Sequence, residues 1–256
     1  MNENNPFKAP EARVDDIPPD AGEFIPDGQR VPAGNGIGWI GQGWNMFREA
    51  PGTWIGLSLT FLLVIMVIGM IPLVNFFLNL ILPVFIGGLM MGCKAQEEGE
   101  ELRVGHLFAA FSSHAGKLIL VGLVYLVGII AIMLVLAVVG GGIGFGAAMM
   151  GSGASGASVA AMLIAGLLAM VLMVPLAMAV WYAPALVVFH DVPPLQAMKS
   201  SFFACLKNFM PFLVYSLVLV VLAILACLPI FLGWLVLIPV IQASVYASYK
   251  DMFTRN

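Results

Sequence analysis

From Thr53 onward the chain alternates long apolar runs with short polar joints. The runs cover residues 53–72, 75–93, 118–139, 160–187, 211–231 and 234–249, and none contains Asp, Glu, Lys, Arg or His. Each is near the ~20 residues needed to cross ~30 Å of hydrocarbon. The pattern predicts six transmembrane helices. The fourth carries Pro175 and Pro184, which predicts a kink or a tilt. The sixth is short and relies on its flanks to reach the interface.

Three stretches outside the runs show helical periodicity instead. Ile37, Ile40, Trp44 and Phe47 recur at steps of three and four, opposite Gln42, Asn45 and Arg48. The second series is Val104, Leu107, Phe111, Ala115 and Leu118. The third is Leu195, Met198, Phe202, Cys205 and Phe209, with Lys199, Lys207 and Asn208 opposite. Such stretches predict amphipathic helices lying in the interface, apolar face into lipid. Trp39, Trp44 and Trp54 fit an aromatic belt at that level.

The two kinds of element combine into an internal repeat. Units of about 36–95, 103–190 and 194–253 each run amphipathic helix, span, outer connection and proline-bearing span. The second spans align as LPVFIGGLMMGCKA from Leu82, VPLAMAVWYAPALV from Val174 and IPVIQASVYASYKD from Ile238. Pro83, Pro175 and Pro239 coincide, and Gly88 and Gly92 align with Ser244 and Ser248. Two spans per unit make the repeats parallel. The expected fold is an all-α integral membrane domain over 36–256, six spans in three parallel units.

Composition sharpens this picture. Of 256 residues 61% are hydrophobic and 10% charged, with a mean hydropathy of +1.01. A soluble domain carries roughly a quarter charged residues, so lipid must solvate most of this chain. Every Lys, Arg, Asp and Glu falls before residue 53, within 94–117 or 190–210, or after residue 249. The other three connections carry no charge. An even number of spans puts every charged segment on one face, and the positive-inside rule makes that face cytoplasmic, with both termini inside. Residues 1–35 hold seven acids against three basic residues, with six prolines, which predicts a disordered acidic tail. A net charge of −3 with no basic run argues against a nucleic-acid partner.

The runs GWNMFREAPGTWIGL, LPVFIGGLMMG and WYAPALVVFHDVPPLQAMKSS, the last followed by KNFMPFL, resemble a family of uncharacterised proteobacterial inner-membrane proteins. The likeness covers about Gly36 to Lys250. It implies a multi-span inner-membrane protein and brings no activity with it. More distantly, the layout is similar to the membrane domain beside some bacterial glycerophosphodiester phosphodiesterases, which is not their catalytic part.

Candidate chemistry is sparse. Intramembrane ionisable residues mark proton relays and ion-coupled carriers, and these spans have none. His106 and His114 are eight residues apart, about 80° around a helix at ~100° per residue, a poor pair of metal ligands. Cys93, Cys205 and Cys227 share no redox or metal spacing. Glu97, Glu98, Glu100 and Glu101 read as a solvated loop, and Gly140–Ser158 as a flexible outer linker. His190 and Asp191, before two prolines, read as the end of the fourth span.

No catalytic residue, metal or cofactor is expected. The chain reads as a non-enzymatic accessory or scaffold protein binding partners or lipid headgroups from its cytoplasmic face. Arg48, Lys199 and Lys207 are the candidate contacts, toward membrane lipids, a membrane-protein partner or a second copy. The alternative is a pore or carrier for a small uncharged or amphipathic solute, with Asn79 and Gln242 lining its path.

Overall fold

A computed structural model describes residues 23–149 and 154–255. The first 22 residues of the expected tail, and the tip of the expected glycine linker, lie outside the described residues. Ten α-helices are described: α1 Asn35–Glu49, α2 Pro51–Gly69, α3 Pro72–Glu97, α4 Ala109–Ser113, α5 Ala115–Met149, α6 Ala154–Trp181, α7 Ala183–His190, α8 Pro194–Lys207, α9 Phe209–Cys227 and α10 Trp234–Phe253. A 3-10 turn, Val104–Phe108, leads into α4, and a two-residue strand pair joins β1 Glu23–Phe24 to β2 Thr254–Arg255.

Proline sets several helix starts, because a first-turn residue needs no N–H partner. It stands in the first turn of α2, α3, α7 and α8. Pro83, Pro175 and Pro239 lie inside α3, α6 and α10. Pro184 divides the expected fourth span into α6 and α7. Ser201 of α8 repairs the break: its hydroxyl accepts from the Tyr182 N–H at 2.9 Å and donates to the Met178 carbonyl at 2.7 Å. One side chain thereby bridges the two backbone groups that an unbroken helix would pair.

Five helical segments are long and apolar enough to cross a membrane: Pro51–Gly69, Phe77–Glu97, Ala115–Gly142, Met162–His190 and Phe209–Cys227. The chain is thus all-α with membrane-length apolar helices. The expected sixth span, α10, falls short of that apolar standard because it carries Gln242, Ser244, Ser248, Lys250 and Asp251. Those residues sit in a well-covered helix, where Ala243, Ser244, Tyr246, Ala247, Ser248 and Tyr249 are all buried.

The short helices do more than float at a surface. α1 packs chiefly on α10. A Cβ on Gly43 would stand 2.6 Å from the Val240 carbonyl oxygen, and one on Gly36 2.3 Å from that of Pro211. Only glycine allows so close an approach. The 3-10 turn meets α3 similarly, since a Cβ on Gly88 would be 2.5 Å from the His106 and Leu107 carbonyls. α8 packs on α6 and α7 through Ser201 and Cys205. Three proline-bearing helices thus each receive a short element: α10 receives α1, α3 receives the 3-10 turn and α4, and α6 receives α8.

Three expectations change here. In α1 the expected lipid-facing series divides: Ile37 and Trp44 do point outward, but Phe47 is buried in a second stripe with Gly36, Trp39 and Gly43. Trp39 and Trp54 are 1% and 0% exposed, so of the expected aromatic belt only Trp44 lies at the surface. α5 continues through Gly140, Gly141 and Gly142 to Met149 and α6 begins at Ala154, so most of the expected flexible linker is helical backbone.

Part of the expected disordered tail is also fixed in place. Residues 23–34 form a strap over the end of α10, with Ile25 N–H donating to the Phe253 carbonyl at 2.9 Å and Gln29 N–H to that of Met252 at 2.8 Å. Asn208, 1% exposed, holds the strap from the joint between α8 and α9: its Oδ1 accepts from Val31 N–H and its Nδ2 donates to the Gln29 carbonyl. Gly28 turns at φ +63°, and a Cβ there would sit 2.9 Å from that of Ala204. A segment too polar to form a core of its own is ordered by borrowing backbone partners from one that does.

Candidate functional site

The C-terminal turns of α3, α7 and α10 finish together, and α1 lies across them. This is the charged end of the bundle. Gln96, last but one in α3 and 9% exposed, ties three helices. Its Oε1 accepts from Trp54 Nε1 of α2 at 2.9 Å, and its Nε2 donates to the Met46 carbonyl and to Glu49 Oε2 of α1 at 2.7 and 2.9 Å. The amide is fully spent, as a buried amide must be. Beside it Glu97 accepts from the Tyr246 hydroxyl at 2.7 Å and from the Lys250 ammonium of α10.

A cavity of about 270 Å³ opens over this network, lined by Gln42, Asn45 and Glu49 of α1, Gln96 and Glu97 of α3, and Tyr246 and Lys250 of α10. A shallower depression continues from Glu49 and Gln96 past Thr53 to Glu100 and Glu101. Beyond the cavity, Asp251 Oδ2 accepts from Trp39 Nε1 and from Asn35 Nδ2, both at 2.8 Å. His190 shares a 2.6 Å hydrogen bond with the Tyr249 hydroxyl and stacks on Phe24 of the strap at 3.6 Å.

The residues singled out from sequence are dispersed. Arg48 is exposed at the cavity rim, donating to Asn45 Oδ1 at 2.6 Å with its guanidinium 6.0 Å from the Trp44 ring. Lys199 is exposed on α8 and makes no hydrogen bond or ion pair among the described residues. Lys207 is engaged, its Nζ donating to the Asp27 carbonyl of the strap at 2.9 Å. No contact joins any two of the three among the described residues. Asn79 and Gln242 are half-buried, and Gln242 Oε1 accepts from Ser58 at 3.1 Å. No contact joins those two either, and neither lines the cavity.

Glu97 corrects the reading of the acidic run as one solvated loop. Glu98 pairs with Lys94 on the helix surface and Glu101 with Arg103, while Glu97, exposed like them, reaches across to Tyr246 and Lys250 of α10. Residue 97 lies on the face of α3 that meets α10, one turn beyond Cys93, so helical phase alone could have separated it from its neighbours. The Gln96–Trp54 bond had no such signal, because it depends on how α2 folds back.

Asp191 behaves as expected for a helix terminus, closing α7 in the left-handed region at φ 52°. A hydrogen bond from Lys117 holds its carboxyl below the usual range. Burial pushes the Cys205 thiol up to about 12, against the pull of the Ser201 hydroxyl, so it stays protonated and unreactive at neutral pH. Among the described residues no three His, Cys, Asp or Glu side chains converge on a metal position.

Comparison with known proteins adds one relative. The chain is 32% identical over 226 residues to a probable inner membrane protein of Burkholderia thailandensis, an alignment covering 85% of this chain and 82% of the relative. No family model matches. No solved structure matches.

Proposed function

The chain belongs to the inner-membrane protein family of that Burkholderia relative, and on this premise we propose that it is a non-enzymatic accessory protein that binds partners or lipid headgroups from its cytoplasmic face. The observation that carries the reading is where the polar chemistry lies. Both cavities, the Gln96 and Glu97 networks and Asp251 occupy one end of the bundle. Recognition requires placed polar groups and aromatic anchors, and that end has them.

In this reading α10 is a sixth span. A helix enclosed by protein need not be apolar to stand at membrane depth, and the polar groups of α10 are met by neighbours: Ser244 by Tyr215, Ser248 by Tyr182, Gln242 by Ser58. Six spans put every charged segment on one face, which the positive-inside rule makes cytoplasmic. The rotation of contacts among leading helices and proline-bearing spans supports three parallel units around a pseudo-threefold axis. The solute path is the weaker alternative, because Gln242 already has its partner in Ser58 and no described cavity links it to Asn79.

Two measurements test this reading. A reporter active only outside the cytoplasm should work when fused after Gly151 and stay silent after Glu98, Lys199 and Asn256; activity at Glu98 ends the six-span topology. A pull-down from native membranes with Arg48→Gln and Lys199→Gln combined should lose a partner that the unaltered chain retains. Lys207 is left in place there, since its change would also release the strap. Retention of every partner, with loss of function only on Asn79→Leu and Gln242→Leu, moves the working surface into the bilayer.

A further inference from the structure

One helical hairpin outreaches its neighbours at the end of the bundle away from the charged network. α5 has 35 residues, about 52 Å at ~1.5 Å per residue, whereas α2 and α9 have 19 each, about 28 Å. Packing fixes where the excess lies. α5 starts beside the charged end, where Lys117 pairs with Asp191. Further along, a Cβ on Gly122 would stand 2.5 Å from the Asn79 carbonyl oxygen of α3. From that contact α3 extends about 10 Å more, to Pro72, and α5 about 40 Å more, to Met149. Roughly 30 Å of α5 therefore continues past α3, and among the described residues only α6 accompanies it. The two helices pack on one another there, Leu176 occupying the space beside Gly128.

This outlying pair is apolar on its free sides. Val135, Val138, Val159, Met162, Leu163 and Leu167 turn outward, Val138 and Met162 at 75% and 71% exposure. Residues 118–189 hold no Asp, Glu, Lys, Arg or His. Lipid is too thin to cover all of it. The hydrocarbon is ~30 Å thick and helices tilt by no more than ~40°; at that tilt α5 still projects about 40 Å. The surplus would stand bare in water, where contiguous apolar patches mark interaction sites.

We propose that the outlying half of the α5–α6 hairpin docks on the same surface of a second copy, the two hairpins side by side about a twofold axis along the membrane normal. Two helices ~10 Å across give a face roughly 20 Å wide and 30 Å long. That is about 600 Å² per copy and ~1,200 Å² for the pair, which clears the ~1,000 Å² expected of a specific interface. The face carries no charge, so it meets itself without repulsion, as a twofold contact requires. From residue 135 to residue 167 serine is the only hydrogen-bonding side chain, too little to specify a different protein. The surface lies at the opposite end from the polar network, so it goes beyond the partner-binding reading above and does not depend on it.

Disulfide trapping of the full chain in proteoliposomes tests this. Val138→Cys and Met162→Cys are compared with Leu217→Cys on α9, which is equally outward but within reach of lipid. The unaltered chain, whose Cys93 and Cys205 are buried, is the blank. Oxidation by copper phenanthroline should link Val138→Cys or Met162→Cys chains into dimers at least tenfold more completely than Leu217→Cys chains. No excess at either position overturns the proposal, and so does equal linkage at Leu217, which reports chance collision. Val138→Glu combined with Met162→Glu is the second measurement. The dimer seen by native mass spectrometry should weaken at least tenfold while the chain still inserts and elutes as a folded monomer. An unchanged dimer overturns the proposal. Failure to insert places the surface in hydrocarbon and overturns it equally. Linkage in native membranes to a different protein, with no dimer formed, replaces the second copy by that partner.

Discussion

The last two long helices, α9 and α10, are neighbours of similar length and opposite construction. α9 is apolar apart from Tyr215 and Ser216 and turns Leu217, Val220, Val221, Ile224 and Leu225 outward, each more than half exposed. α10 carries serines, tyrosines, a glutamine and a charged end, and hides most of them. In water this would be an inverted arrangement. In lipid the exposed helix must be apolar, whereas the enclosed one may be polar wherever neighbours complete its hydrogen bonds. Hydropathy measures what faces the solvent, so it finds α9 readily and undervalues α10.

That contrast can be broken where α10 is most tightly enclosed. Gly43→Leu drives a side chain into the Val240 carbonyl and the Ser244 N–H, at 2.6 and 2.8 Å from its first carbon. Backbone cannot yield as a flexible side chain would, so the cost should exceed the ~1–3 kcal/mol of ordinary overpacking. The folded fraction in detergent size-exclusion should collapse, and a normal elution profile would show that α1 does not sit on α10. Gln96→Leu comes next. It strands the Trp54 N–H and the Met46 carbonyl, at about 1–3 kcal/mol per buried unpaired group, and the melting temperature in detergent should drop by several degrees. An unchanged melt would mean water already serves those groups.

The smallest effect sharpens the other side. Val221→Ala on α9 should change stability by no more than about 0.5 kcal/mol, the usual range for surface positions without special contacts. A large loss in native membranes, absent in detergent, would reveal that protein covers α9 where lipid is expected.

The apolar framework was legible in the sequence because it depends on local runs. Five of the six expected spans overlap helices apolar enough to cross a bilayer, and all three aligned prolines lie within helices. The two glycine surprises have one physical origin. Glycine at Gly36 and Gly43 admits a neighbouring backbone, whereas Gly140–Gly142 simply extend α5, and a lone sequence shows no difference between these uses. The candidate site was legible only in part. Arg48 was found because it stands on the polar side of an apolar period. Gln96 and Glu97 were hidden in what looked like loop, since their partners Trp54, Tyr246 and Lys250 are distant in the chain.

The strap also imposes an order of events during synthesis. Gln29 of the strap and its partner Asp251 are 222 residues apart, which at ~5–20 residues per second is roughly 10–45 s of translation. During that interval the earliest-made helix has no surface to settle on, and the glycine faces of α1 stand bare beside the ribosome. A chain released before α10 emerges can insert its first spans yet never close. The backbone bonds from Ile25 and Gln29 to Phe253 and Met252 thus form only after α10 has been made.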